Sequence, residues 1–131
     1  MRGLLLDTHI WIWLVLGSRD LPRSLRDALE DAAGRLWLSP ISLWEAWLLI
    51  QKGRLNVKSA AWQWIEEALE EVPLREAPLN FEVVQAVDKL ILPHGDPADH
   101  FIAATAVSHH LTLVTLDGNL VEAPGLQTLT R

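Results

Sequence analysis

Asp96-Pro-Ala-Asp-His-Phe-Ile-Ala-Ala-Thr-Ala-Val-Ser-His-His-Leu-Thr-Leu-Val-Thr-Leu-Asp117 reads as one helix feeding one strand. Asp96 before Pro97 is a helix start: a short acidic side chain caps free N–H groups, and proline's fixed φ suits the first helical position. The helix is expected to reach about His109. Leu111–Thr115 then carries β-branched residues and runs into the turn Asp117-Gly118-Asn119, as a strand leaving a sheet does. The same alternation extends toward the N-terminus. Leu4–Leu6 reads as a first strand, followed by a short helix over Thr8–Gly17. Leu21–Gly34 reads as a helix with Asp20 as its cap, Pro22 near its first turn and Gly34 as its stop. Leu36–Leu38 is a second strand, and Ser39-Pro40 starts a helix running to about Lys52. Ser59–Glu71 and Leu79–Leu90 read as helices on either side of a weak third strand, Val72–Arg75. Pro93–Gly95 breaks the second of these helices, and Gln127–Leu129 is a final edge strand. Short apolar strands alternating with helices predict an α/β fold with a mainly parallel sheet covered on both faces.

The chain has 131 residues, 50% of them hydrophobic and 21% charged. That suits one compact domain over 1–131 and argues against disorder. There is no cysteine, which excludes a disulfide framework, a thiolate zinc site and a thiol nucleophile, and fits a reducing, cytoplasmic setting. Arg2, Leu4–Leu6 and Ile10–Leu16 imitate a signal peptide, but Asp7 and His9 interrupt the apolar stretch and no small-residue cleavage site follows. Ile10–Leu16 is too short to span a bilayer, so the expectation is a soluble chain with this segment in its core. The formal net charge is −6. Proteins that hold nucleic acid by counterion release are usually basic, so broad electrostatic binding of nucleic acid is disfavoured. A site where metal ions offset carboxylates stays open, as does docking of a basic protein.

The acidic residues have a common predicted location. Ligand sites in parallel sheets form at the carboxyl ends of the strands. Asp7 follows the first strand, and Asp117 follows the strand Thr112–Val114. Glu45 lies early in the helix after the second strand, and Asp96 and Asp99 lie in the first turn of the helix feeding Thr112–Val114. All five can converge on one edge. Crowded carboxylates repel and raise one another's pKa, and divalent cations remove that cost. Oxygen ligands without cysteine suit Mg²⁺ or Mn²⁺, and such a site suits phosphodiester hydrolysis. Each residue also has a structural reading. Asp7 can cap the Thr8 helix, Ser42-x-x-Glu45 matches a capping box, and Asp96 is a good N-cap. Asp99 sits where the helix dipole favours an acid, and Asp117 before Gly118 is a common turn residue.

Four stretches occur in order: Leu4-Leu-Leu-Asp7-Thr-His-Ile-Trp11, Ser39-Pro-Ile-Ser-Leu-Trp-Glu45, His94-Gly-Asp96-Pro-Ala-Asp99-His-Phe-Ile-Ala-Ala104, and Leu113-Val-Thr115-Leu-Asp117. Together they resemble the PIN-domain family, and within it the VapC-type toxins of toxin–antitoxin pairs. The resemblance runs from Leu4 to the C-terminus. It implies a three-layer α/β/α fold and an Mg²⁺- or Mn²⁺-dependent endoribonuclease leaving a 5′-phosphate and a 3′-hydroxyl. It also implies a cognate VapB-type antitoxin and a homodimer. Asp7, Glu45, Asp99 and Asp117 match the four family acids. Asp7 and Asp99 are the expected direct metal ligands, with Glu45 and Asp117 completing the site directly or through water. Asp96, Thr115 and Thr8 match accessory positions.

Arg2, Lys52, Arg54, Lys58 and the histidines are candidate phosphate contacts, with solvated surface as the alternative. His9, His94 and His100 flank the acidic motifs. Seven tryptophans exceed what a small core holds. Trp44, Trp47, Trp62 or Trp64 is therefore expected on an exposed surface for the antitoxin or a second subunit, with base stacking as the rival reading. The competing function is a non-catalytic acidic α/β module that docks a basic protein segment. A phosphoryl-accepting domain is disfavoured because the predicted third strand ends near Arg75–Glu76 without an aspartate. A dehalogenase-like phosphatase is disfavoured because position 9 is His.

Overall fold

The computed structural model describes residues 2–92 and 96–131; His94 and the Pro93–Gly95 break lie outside the described residues. Five short strands form one sheet: β1 (Leu4–Leu6), β2 (Leu36–Leu38), β3 (Arg75–Glu76), β4 (Thr112–Val114) and β5 (Thr128–Leu129). Their order is β3-β2-β1-β4-β5, and every pairing is parallel. β1 is central: Leu4 pairs with Leu36 on one side and Thr112 on the other.

The helices are α1 (Thr8–Leu16), α2 (Arg23–Asp31), α3 (Pro40–Gln51), α4 (Ala61–Glu71), α5 (Phe81–Ala86), α6 (Pro97–Ser108) and α7 (Gly118–Val121). Successive strand residues face opposite sides, so each sheet face builds its own core. Leu6, Leu36, Leu38 and Val114 meet Ile10, Trp11, Leu25, Leu29, Ala46 and Ile65 from α1 to α4. Leu5 and Leu113 meet Ile102, Ala103 and Ala106 of α6 and Leu120 of α7. The result is a three-layer α/β/α sandwich. The small side chains of α6 let it lie close to the sheet, and fully buried Ile102 anchors it, worth about 1.5–3 kcal/mol of burial.

The strongest local signals stand where they were expected. Ser39 caps α3 by accepting from Ile41 N at 3.1 Å, with proline in the first turn. Asp96 caps α6 by accepting from Ala98 N at 3.1 Å. Four expectations need correction. Asp20 is not the cap of α2: Pro22 occupies that position, and no side chain caps the helix. The third strand is Arg75–Glu76 rather than Val72–Arg75, because the pairs Trp37–Arg75 and Leu38–Glu76 select those residues. The helix predicted over Leu79–Leu90 stops at Ala86 and tightens to a 3₁₀ turn over Val87–Lys89. The turn at Asp117 is instead the N-cap of α7, with Asp117 Oδ1 accepting from Asn119 N at 2.9 Å. No described helix is long and apolar enough to cross a membrane.

Candidate active site

Parallel pairing puts the carboxyl ends of all strands on one edge, and that geometry positions the acids. Asp7 leaves β1 as the N-cap of α1, and its backbone N–H donates to Val114 O at 3.0 Å, tying it to the end of β4. Its Oδ1 accepts from Thr8 N at 2.9 Å, and its Oδ2 accepts from Thr115 Oγ1 at 2.7 Å. Thr115 is fully buried, and its Oγ1 also accepts from Asp117 N at 3.0 Å, so one hydroxyl orients two acidic residues. From α3, Glu45 accepts a short hydrogen bond from Thr8 Oγ1, which also lies 2.9 Å from the buried Ser42 Oγ. Ser42 was legible only as part of a capping-box match. Its hydroxyl instead joins the site network, and the Ser42-x-x-Glu45 spacing was the signal available.

Asp99 stands one turn into α6, half-buried. Its carboxyl is pushed up to about 7, first by burial and then by Asp7, Asp96, Asp117 and Glu45, all acting in the same direction. Asp7 is raised chiefly by burial, against the pull of Thr115, Thr8 and His9. Glu45 is raised chiefly by burial, with Asp96 and Asp7 adding and Thr8 opposing. The fold thus brings Asp7, Glu45, Asp96 and Asp117 within electrostatic reach of Asp99. As they stand, no group of three or more His, Asp or Glu side chains among the described residues is gathered to hold a metal ion. The donor chemistry still fits a hard divalent cation: the set is all oxygen, and it carries like-charge repulsion that a cation relieves.

The aromatic expectations divide. Trp44, Trp47 and Trp62 are exposed at 51%, 41% and 53%. Trp64 is not a surface residue of this kind: it packs against the α1–α4 core, with its ring 6.1 Å from that of Trp11. The reason is helical phase, since Trp64 lies beside buried Ile65 while Trp62 faces outward. An open cleft of about 650 Å³ adjoins the acids, with Glu45 and Asp96 on its wall. Of the candidate phosphate contacts, His9, Lys52 and Arg54 line it, while Arg2, Lys58 and His100 do not. His100 Nδ1 instead lies 3.3 Å from Asp96 O.

An all-parallel sheet between helical layers, with acids at its carboxyl edge, defines an α/β protein whose site lies at the strand ends. The chain belongs to the PIN-domain family, which matches residues 4–126. Its likeness is to the VapC type: it is 32% identical over 123 residues to Ribonuclease VapC22 of Mycobacterium tuberculosis, covering 92% of this chain and 91% of that one. The fold is similar to VapBC2 of Rickettsia felis, solved bound to a DNA fragment from its promoter (TM-score 0.71, 19% identity, 96% of each chain covered). It is also similar to a toxin–antitoxin complex from Klebsiella pneumoniae (TM-score 0.68, 23% identity, 98% and 97% covered).

The raised carboxyls have a consequence for stability. Asp7, Glu45 and Asp99 have folded-state pKa values above their ordinary values of 3.8, 4.5 and 3.8. For such groups the folded state is favoured below the ordinary pKa, and that advantage is lost as pH rises through the folded value. In EDTA, the melting temperature of the wild type relative to Asp99→Asn should therefore fall between pH 4 and pH 7 or above, the window set by Asp99's 3.8 and about 7. Mg²⁺ should restore more stability at pH 8 than at pH 5. Thermal melts across pH check this, and a difference between the two proteins that does not change with pH would contradict it.

Proposed function

We propose that this chain is an Mg²⁺- or Mn²⁺-dependent endoribonuclease toxin, hydrolysing RNA phosphodiesters and held inactive by a VapB-type antitoxin. The observation that carries the reading is the convergence of acids from four segments of the chain at one sheet edge, with Asp99, half-buried, facing the charges of Asp7, Asp96, Asp117 and Glu45. Kinship to Ribonuclease VapC22 supports the nuclease and RNA parts, and the fold's likeness to VapBC complexes supports the antitoxin. A homodimer in the cytoplasm completes the reading.

Asp7, Asp99, Glu45 and Asp117 would hold the metal. A bound divalent cation supplies charge stabilisation for the phosphoryl oxygens and a water of lowered pKa. The chain's own residues prepare that site. Thr8 N and Thr115 Oγ1 lock both oxygens of Asp7 in orientation. Thr8 Oγ1, supported by Ser42, orients Glu45. Among the described residues, no hydrogen bond offsets the raised pKa of Asp99, which suits its carboxylate to a cationic ligand. Asp96 caps α6 and adds negative charge beside Asp99 and Glu45. Trp47 and Trp62, exposed on the α3–α4 pair, offer the aromatic surface for the antitoxin, with Trp44 at its border.

The test is to incubate purified protein with total RNA, with Mg²⁺ or with EDTA, and to sequence the new 5′ ends. Discrete 5′-phosphorylated ends in Mg²⁺ alone are expected. Intact RNA in both would leave the non-catalytic protein-binding module as the better reading.

A further inference from the structure

The cleft beside the acids has two chemically different ends. One wall is a stripe of α1 that includes His9 and Trp13, whose rings lie 5.8 Å apart. The other is a stripe of α3 at helical spacing: Trp44 and Glu45, then Leu48, then Lys52. The cleft therefore begins at the carboxylates and ends at cations. Seven residues separate Glu45 from Lys52, about 10 Å along a helix axis, or roughly three stacked-base rises. Arg54 joins Lys52 at that end. Both are held in place by the close of α3: Gly53 takes the left-handed conformation (φ +71°), its N–H donates to Ile50 O at 3.1 Å, and Arg54 N donates to Leu49 O at 2.9 Å. Among the described residues, Asp20 is the one further carboxylate lining the cleft beyond Glu45 and Asp96.

We infer that this cleft seats the single-stranded RNA next to the scissile phosphate, with a base stacked on Trp44 and backbone phosphates on Lys52 and Arg54. The inference rests on the nuclease reading above and adds which residues position the substrate. A half-exposed indole near the acids and paired cations at the far end of the same cleft are the two elements of single-strand binding: a face that takes any base and charge that tracks the backbone. In a chain of net charge −6, two cations at the far end of a cleft that starts at the acids favour a polyanion lying along it. A protein segment seated there is the rival occupant.

The experiment uses the Asp99→Asn protein with Mg²⁺ and a fluorescein-labelled single-stranded RNA oligonucleotide, followed by anisotropy at several salt concentrations. Trp44→Ala in that background should raise Kd at least about 5-fold, with Trp44→Phe recovering part of the loss. Lys52→Ala with Arg54→Ala should weaken binding to any sequence and reduce the salt slope by about 1.4, the value for two phosphates on a single strand. Phe81→Ala, exposed at 95% and off the cleft, is the control and should change neither. In the otherwise wild-type enzyme, the cleft substitutions should raise KM for RNA with kcat nearly unchanged. An unchanged Kd and salt slope, or no measurable binding in the Asp99→Asn background, overturns the inference, whatever the substitutions do to a protein partner. The two readings fail separately: a wild type that cuts RNA while cleft variants behave like it sinks only the cleft, and a wild type that cuts no RNA sinks the nuclease.

Discussion

Asp99→Asn should lower RNA cleavage by about 10³-fold, equivalent to about 4 kcal/mol of transition-state stabilisation, and should leave the fold intact. Both halves follow from the same geometry. Asp99 is half-buried and surrounded by Asp7, Asp96, Asp117 and Glu45, so its ionised form is a cost to the metal-free protein. The amide removes one of the repelling charges and leaves a side chain of nearly the same shape. It also removes a hard anionic oxygen from the proposed metal site, and the amide oxygen is a poor substitute. The measurement is single-turnover cleavage with Mg²⁺, alongside a thermal melt in EDTA. A variant as active as wild type would remove Asp99 from the site, and a variant that melts well below wild type would mean the residue holds the fold rather than the reaction. Asp7→Asn is a less clean test. Asp7 accepts from both Thr8 N and Thr115 Oγ1, so an amide that keeps its oxygen on Thr8 N turns its NH2 to Thr115 Oγ1 and makes that hydroxyl, which already accepts from Asp117 N, change from donor to acceptor.

Trp11→Ala should destabilise the protein by about 3–5 kcal/mol, a large part of the 5–15 kcal/mol typical of a native domain. For a chain of this size that is a fall in melting temperature of roughly 10–20 °C. Trp11 is fully buried, sits among the residues of the α1–α4 core and meets the Trp64 ring at 59°. Removing it leaves a large void where α1 rests on the sheet. Trp11→Phe should cost far less. The indole Nε1 has no hydrogen-bond partner among the described residues, so phenylalanine removes a buried unsatisfied donor as it shrinks the side chain. Activity should fall with Trp11→Ala as well, because Trp11 N donates to Asp7 O at 3.1 Å and α1 carries Asp7 at its start. Denaturant titration measures the loss, and a value under about 1 kcal/mol would show that the core does not depend on this ring.

Much of this molecule can be read locally. Leu4–Leu6 and Leu36–Leu38 are strands to the residue, because each is a short apolar run bounded by residues that favour caps or turns. The starts of α3 and α6 follow from Ser39-Pro40 and Asp96-Pro97, where the capping oxygen and the proline act within one turn. Where pairing or packing supplies the energy, local reading fails. β3 has two exposed residues and exists only because β2 offers an unpaired edge, so its boundary slid three residues from the apolar run. Trp62 and Trp64 are two positions apart, yet one is exposed and the other lies against Trp11, a matter of helical phase relative to a core that the local sequence does not contain.

The amino-acid sequence by itself determined the kinds of element, their caps, the α/β class and the identity of the acids, since propensity, capping and hydrophobic period act over a few residues. The tertiary structure decided the strand order, which tryptophans face solvent, the bond from Thr115 to Asp7 across 108 positions, and the cleft between α1 and α3. These depend on long-range burial and charge, whose energies exist only once distant segments touch.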